Sequence, residues 1–273
     1  MSEIKKIGLI AGSGMMPVEI VASCRARGIE VHVAGLKPWA EEERYKDLDH
    51  VMARIGEVGK ILNFFKSAGV KGIVLAGGIK RPSLKELVPD MEALKILAKV
   101  AITKANDDTL FRAVVNAIEE RGFQVLGIEE IVPEMLFKEG VYGKIKPSEG
   151  DMDDIRRGVE VVRALGAVDV GQAVVIQEGI VLAVEAVEGT DNMLARAAEW
   201  RKPGKTPVMV KILKPSQETR VDMPAMGIQT IEQLSKYGIG GIAVEAGAIL
   251  VIEREAVIDA ADAANIFIIG LKF

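Results

Sequence analysis

The stretch Lys214–Thr230, KPSQETRVDMPAMGIQT, concentrates side chains that do chemistry: Lys214, Gln217, Arg220, Asp222 and Thr230 stand among Pro215, Pro224 and Gly227. A proline-stiffened loop presents such groups without ladder or helical hydrogen bonds competing for them. It follows an apolar run, Pro207–Leu213, that reads as a strand, and precedes an amphipathic helix from Ile231 to Tyr237. A second polar cluster, Glu185–Asn192, follows another strand and opens a helix. There Thr190 or Asp191 can cap, and Gly189 lets an anion approach the helix N-terminus. Both loops border strands and can converge on one edge of a mixed sheet. Together they hold carboxylates (Glu185, Glu188, Asp191, Asp222), cations (Lys214, Arg220) and hydroxyls (Thr190, Thr230). A Mg²⁺ ion needs one or two carboxylates, its other positions going to water and phosphate oxygens. It can offset charge on a diphosphate and position a water for in-line attack. The residues alone leave open which acid ligates and which acts as base.

Composition narrows the alternatives. The formal charge of −4 provides no global basic surface for a nucleic-acid backbone, so nucleic acid is not an expected partner. Cys24 is the only cysteine and His32 and His50 the only histidines, which excludes an internal disulfide, a thiolate cluster and a histidine-rich metal site. Any metal is therefore a hard cation held by oxygen. The start, MSEIKKIGLIAGSG, lacks a signal-peptide pattern, and no apolar run reaches membrane-spanning length. The cytoplasm is the expected compartment, which leaves a lipid substrate at a membrane surface open.

The elements that must position these residues read as α/β. The 28 glycines are scattered, aromatics make up only 4%, and short Val/Ile/Ala/Gly strands alternate with amphipathic helices. Residues 1–133 read as an N-terminal Rossmann-like domain with a parallel sheet, 134–150 as a linker or crossover, and 151–273 as a mixed α/β domain. In the first domain, strand Lys5–Ala11 runs into Gly12-Ser13-Gly14, with Pro17 opening a helix, and strand Gly72–Ala76 runs into Gly77-Gly78-Ile79-Lys80-Arg81-Pro82. Both loops lie beyond the carboxyl ends of parallel strands, where open sheets bind ligands. The first can cradle a phosphate on free N–H groups, and Lys80 and Arg81 can hold its charge. Asn106-Asp107-Asp108 starts a further helix, after a helix expected at Met91–Lys104. In the second domain, Ala173–Gln177 and Ile180–Ala186 read as a hairpin, as do Gly241–Glu245 and Ile249–Glu253.

The order IAGSG-x-x-P, LAGG-x-x-RP, NDD-x-L-x-R-x-V, EGTD-x-M and KP-x-Q-x-x-R-x-D-x-P-x-x-G-x-x-T resembles the LpxI-type UDP-2,3-diacylglucosamine pyrophosphatases along the whole chain. The resemblance departs at Asn106, where glycine is usual. It implies a Mg²⁺-dependent hydrolase of lipid A precursor synthesis that cleaves UDP-2,3-diacylglucosamine to UMP and 2,3-diacylglucosamine 1-phosphate. It also implies two domains, a homodimer, and action in the cytoplasm, peripheral to the inner membrane. The essential aspartate of the family falls on Asp222, as catalytic residue or metal ligand. Asp191 and Glu188 are then expected to support the metal, and Lys214, Gln217 and Arg220 to orient the diphosphate. Gly189, Thr190 and Thr230, with Gly12, Ser13, Gly14, Gly77, Gly78, Lys80 and Arg81, are expected to bind substrate.

Two other readings compete. A nucleotide- or NAD-binding oxidoreductase would use the first βαβ unit, but Pro17 stands where the dinucleotide fingerprint has its third glycine, and no ribose-binding acid closes the second strand. A non-catalytic nucleotide-sugar-binding protein would leave Asp222 without a task. Acyl chains require an apolar groove, for which Met15, Met16, Met193, Met223 and Met226 are candidates beside the polar motifs. Shortening the substrate's acyl chains is therefore expected to weaken binding by about 0.8 kcal/mol per buried CH₂ lost. Affinity measured across a chain-length series checks this, and an affinity indifferent to length removes the groove.

Overall fold

A computed structural model describes residues 4–79, 89–95, 107–215 and 217–273, with side chains of the 107–119 helix from Phe111 onward. The chain divides into two compact units: Met1–Pro133 with Glu218–Asp222, and Glu134–Gln217 with Met223–Phe273. Lys80, Arg81, Asn106 and most of the helix expected at Met91–Lys104 lie outside the described residues.

The first unit is built on a five-stranded parallel sheet in the order β3-β2-β1-β4-β5: β1 Lys6–Ala11, β2 Glu30–Lys37, β3 His50–Arg54, β4 Gly72–Ala76 and β5 Gln124–Val125. β1 is buried along nearly its whole length, as expected of a central parallel strand covered on both faces. Helix Val58–Ser67 approaches so closely that a methyl at Gly8 would stand 2.9 Å from the ring of buried Phe65. The strand order reverses at β1, with β2 and β3 on one side and β4 on the other. The crevice of this sheet therefore opens at the carboxyl ends of β1 and β4.

The second unit contains a six-stranded mixed sheet in the order β6-β13-β11-β9-β7-β8, formed by Gly140–Tyr142, Phe267–Leu271, Gly241–Glu245, Val208–Lys211, Ala173–Gln177 and Ile180–Val184. β9, β11 and β13 are parallel, and β6 and β7 run against them. The period of two sorts the side chains by face. Ala173, Val175, Met209, Ile242, Val244 and Ile268 join one core with residues of helices Gly189–Glu199, Ile228–Tyr237 and Arg254–Ala263. Val174, Ile176, Val208, Val210, Ala243, Phe267 and Ile269 join another with Ile155, Val159 and Val162 of helix Glu149–Ala167. Gly158 brings that helix close, since a methyl there would lie 2.5 Å from Val210 Cγ2.

The hairpin read at Ala173–Ala186 is present as antiparallel β7 and β8, turning at Glu178-Gly179 with both φ angles positive. The second expected hairpin is not. β11 instead pairs in parallel with β9 and β13, and Leu250–Val251 (β12) pairs in parallel with Ala225–Met226 (β10) in a separate two-stranded ladder. The intervening residues 246–249 let the chain leave the sheet, a choice set by partners distant in sequence. The stretch 134–150 is more than a linker: it contributes β6 and the cap of the following helix. Ser148 Oγ accepts from Asp151 N at 3.2 Å, and Asp151 Oδ2 accepts from Ser148 N at 2.8 Å, a capping box that starts the helix at Glu149.

Buried Asp154 accepts from the N–H groups of Glu178 and Gly179 at 3.0 and 2.6 Å and pairs with Lys205 at 2.7 Å; Lys205 also reaches Asp151 at 3.2 Å. This network ties helix Glu149–Ala167 to the β7–β8 turn. Burial works to raise the Asp151 carboxyl pKa, but hydrogen bonds from Ser148 and Lys205 outweigh it and hold it below the usual carboxylate range. A carboxylate with a lowered folded pKa stabilises the protein above its unfolded pKa, about 4, and the contribution is lost as pH falls through the folded value. Urea denaturation midpoints are thus expected to drop between about pH 5 and pH 3, with a shallower drop in Asp151→Asn. Equal slopes in the two proteins would remove Asp151 from this role.

Candidate functional site

In the first unit the structure brings the two glycine loops together at the carboxyl ends of β1 and β4. Gly12 N donates to Ala76 O at 2.8 Å, Ser13 N to Gly78 O at 2.9 Å and Gly78 N to Ser13 O at 3.0 Å, while Ser13 Oγ also donates to Gly78 O at 2.9 Å. A methyl at Gly12 would stand 2.6 Å from Gly78 O, and one at Gly77 would stand 2.7 Å from Ser13 O, so backbone packs directly on backbone. Gly14 and Gly77 both have φ of +93°. The phosphate-cradle reading is corrected in one respect: the N–H of Gly12 is used by the end of β4 and that of Ser13 by the loop after it. Exposed Ser13, Gly14 and Gly78 form the open rim of the crevice.

Asp222 and Arg220 also belong to the first unit. The N–H groups of Val221 and Asp222 both donate to Glu218 O, at 3.1 and 3.0 Å, closing a turn that leaves Asp222 exposed. Val221 packs against the core of the parallel sheet. Arg220 makes a two-pronged contact with Glu218 at 2.8 and 3.0 Å and reaches Glu119 at 2.9 Å. The hydrogen bond from Arg220 holds the Glu218 carboxyl below its ordinary range, and Glu218 in turn raises the guanidinium pKa. Arg220, expected to orient the diphosphate, has its fork on carboxylates here and fixes the turn bearing Asp222.

In the second unit, β8 runs in the direction of β9, because each is antiparallel to β7. The Glu185–Asn192 and Lys214 loops consequently leave the sheet at one edge, where Gln172 enters β7. Glu185, 7% exposed, accepts from Thr190 Oγ1 at 2.5 Å and from Gln172 N at 3.1 Å, and Ile212 N donates to Gln172 O at 3.0 Å. Glu245, ending β11, accepts from Leu213 N at 2.9 Å. Gly171 passes so close to Glu185 that a methyl there would collide with its carbonyl oxygen. Thr190 thus anchors its loop to Glu185 in place of capping the helix, whose N-cap is Glu188. Gly189 takes φ of +78°.

Lys214 pairs with Asp169 at 2.7 Å, Gln217 N donates to Lys214 O at 3.2 Å, and Thr230 N donates to Gly227 O at 3.0 Å in the first turn of the Ile228–Tyr237 helix. Glu188 pairs with Arg196; hydrogen bonding to its own backbone N–H and then to Arg196 lowers its pKa. Asp191 is exposed on the first helical turn. Among the described residues no three His, Cys, Asp or Glu side chains are grouped to hold a metal ion. Of the expected set, Glu188 is held by Arg196, Asp191 belongs with it to the second unit, and Asp222 belongs to the first. The donor chemistry of exposed Asp222 suits Mg²⁺, which takes as few as one protein carboxylate.

Two functional candidates escaped the sequence reading. Lys211, 7% exposed, ends β9 and donates to Ala225 O at 3.3 Å, and it was hidden inside an apolar strand. Gln172 stands at the same edge, and its Oε1 is shut from solvent without a hydrogen-bond partner among the described residues. Burial of such an oxygen is unfavourable unless something bonds it. Of the methionines considered for an acyl groove, Met193 and Met226 instead fill the core, while Met15, Met16 and Met223 are half-buried.

These features define a two-unit α/β protein: a five-stranded parallel sheet with a glycine crevice, and a mixed sheet with polar loops gathered at one edge. Family models for the LpxI N-terminal domain and the LpxI C-terminal domain match residues 6–135 and 138–269. A protein of Caulobacter vibrioides named UDP-2,3-diacylglucosamine pyrophosphatase LpxI is 40% identical over 277 residues, covering 98% of each chain. The chain belongs to the LpxI family. Among solved structures, the biotin carboxylase domain of Hydrogenobacter thermophilus 2-oxoglutarate carboxylase is 15% identical, with a TM-score of 0.27 over 73% of this chain and 42% of that one. The biotin carboxylase subunit of pyruvate carboxylase is 14% identical, with a TM-score of 0.28 over 86% and 42%. Likeness at that level carries no argument.

Gly12→Ala is expected to lower stability by about 1–3 kcal/mol, since the added methyl meets backbone that cannot swing aside. Thermal melting checks this; an unchanged midpoint would show that the loops separate freely.

Proposed function

We propose that the chain hydrolyses the diphosphate of UDP-2,3-diacylglucosamine, releasing UMP and 2,3-diacylglucosamine 1-phosphate in lipid A precursor synthesis. The carrying observation is 40% identity, across 98% of both chains, to a protein named for that pyrophosphatase activity. Asp222 is the catalytic carboxylate. Backbone hydrogen bonds to Glu218 O and the Arg220 fork set the position of its turn, so the carboxylate does not have to hold the loop together. Its task is to orient the attacking water and accept its proton as the phosphorus–oxygen bond forms.

Asp222 would also hold a Mg²⁺ ion, which would supply charge neutralisation at the diphosphate. Gly189 and Thr190 present backbone at a helix start suited to an anion. Lys214, Gln217 and Thr230 are the substrate-orienting candidates of the second unit, Lys214 by exchanging Asp169 for phosphate, and Ser13, Gly14 and Gly78 are the substrate-binding candidates of the first. The substrate's two acyl chains favour work at the inner membrane surface from the cytoplasm. No helix among the described residues is long and apolar enough to cross a membrane. A homodimer is the expected assembly, on the family resemblance.

Purified protein supplied with UDP-2,3-diacylglucosamine is expected to release UMP with Mg²⁺ and to lose that activity on chelation. Asp222→Asn is expected to lower turnover by roughly 10²-fold or more while substrate affinity changes little. Chromatography of UMP with equilibrium binding reads both quantities. Undiminished turnover in Asp222→Asn would overturn the assignment of this residue, and absence of UMP from the wild type would overturn the reaction.

A further inference from the structure

The turn bearing Asp222 lies against helix Asp107–Glu119: Arg220 reaches Glu119 at 2.9 Å, and Val221 packs on the core to which Val115 and Ile118 of that helix belong. Arg112, Asn116 and Glu119 recur at the spacing of one helix face and are all exposed, whereas Val115 and Ile118 are buried. Arg112 and Glu119 therefore stand on the same face, two turns or about 10 Å apart. β5, parallel to β4, begins at Gln124 just past the end of this helix, so Glu119 lies toward the amino edge of the parallel sheet. Arg112 lies back along the helix toward the carboxyl edge, where the glycine crevice opens. Glu218 links it to Asp222. Both Glu218 oxygens accept from Arg220, at 2.8 and 3.0 Å, and the charge of Arg112 adds to the pull that holds this carboxyl below its ordinary range. The Asp222 N–H donates to Glu218 O at 3.0 Å, so Asp222 follows Glu218 by a single helical turn, about 5.4 Å. Arg112 and Asp222 are thus neighbours of the same residue, and both are exposed.

We propose that Arg112 binds the diphosphate beside Asp222, its fork holding oxygens of one phosphate and offsetting the charge that gathers there during cleavage. This rests on the reading of the chain as a diphosphate hydrolase. In that reaction the water oxygen bonds to one phosphorus and its proton passes to Asp222. The bridging P–O bond breaks, its electron pair leaving on the other phosphate. Asp222, itself an anion, cannot meet that added negative charge. A guanidinium is planar, always charged and matches two phosphate oxygens at once. The two arginines of this face divide the work: Arg220 has its fork on Glu218 and Glu119 and fixes the turn, and Arg112 meets the substrate.

Release of UMP from UDP-2,3-diacylglucosamine by wild type, Arg112→Gln and Arg112→Lys tests this, with circular dichroism and thermal melting to verify the fold. Arg112→Gln is expected to lower kcat by roughly 10²-fold, the usual cost of removing one charge-stabilising donor from a transition state. Arg112→Lys keeps the charge without the fork and is expected to recover part of this, with kcat about tenfold below wild type. Near-wild-type turnover in folded Arg112→Gln, or Arg112→Lys no faster than Arg112→Gln, would overturn the proposal. Should Arg112→Gln not fold, Arg112→Lys against wild type carries the test, and an undiminished kcat there would overturn it. Absence of UMP from wild type removes the reaction and this inference with it, whereas wild-type release with an indifferent Arg112 removes only this inference.

Discussion

Central strands buried on both faces have apolar side chains on both sides, so their polar chemistry is displaced to the strand ends. That constraint organises both units of this protein. β1 is covered along nearly its whole length, and the strands of the mixed sheet divide their side chains between two cores. The functional candidates accordingly cluster where strands stop: Gly12–Gly14 after β1, Gly77–Gly78 after β4, Glu185–Asp191 after β8 and Lys214 after β9.

At these ends, polar groups are first used to hold one another. The glycine loops exchange backbone hydrogen bonds, Glu185 gathers Gln172 and Thr190, and Arg220 is held by two glutamates. Such arrangements oppose the conformational entropy of loops and keep exposed groups such as Asp222 in place. They also explain why an inventory of charged residues overstates the number ready for a ligand. A cation gripped by a carboxylate at 2.8 Å must exchange that partner before it meets phosphate.

The same logic distributes the methionines. Met193 and Met226 flank polar motifs in sequence but alternate inward into the core shared by the mixed sheet and its helices. Flexibility suits them to filling irregular space there as much as to contacting acyl chains. Sequence proximity to a motif therefore says little about which way a side chain faces once helical or strand periodicity intervenes.

Local pattern alone made the α/β class, the parallel first sheet and the β7–β8 hairpin legible, because periodicity and turn residues such as Glu178-Gly179 act over a few positions. Motif order likewise marks Asp222 and the glycine turns as candidates. Tertiary structure decided matters of partnership. β11 and β12, close in sequence and hairpin-like in pattern, pair with β9, β13 and β10, because apolar strands carry no label for their neighbour. Arg220 faces Glu119, 101 positions away, and Gln172, just before β7, encloses its amide oxygen. Those outcomes depend on distant segments meeting, and a chain read residue by residue contains the groups but not the distances between them.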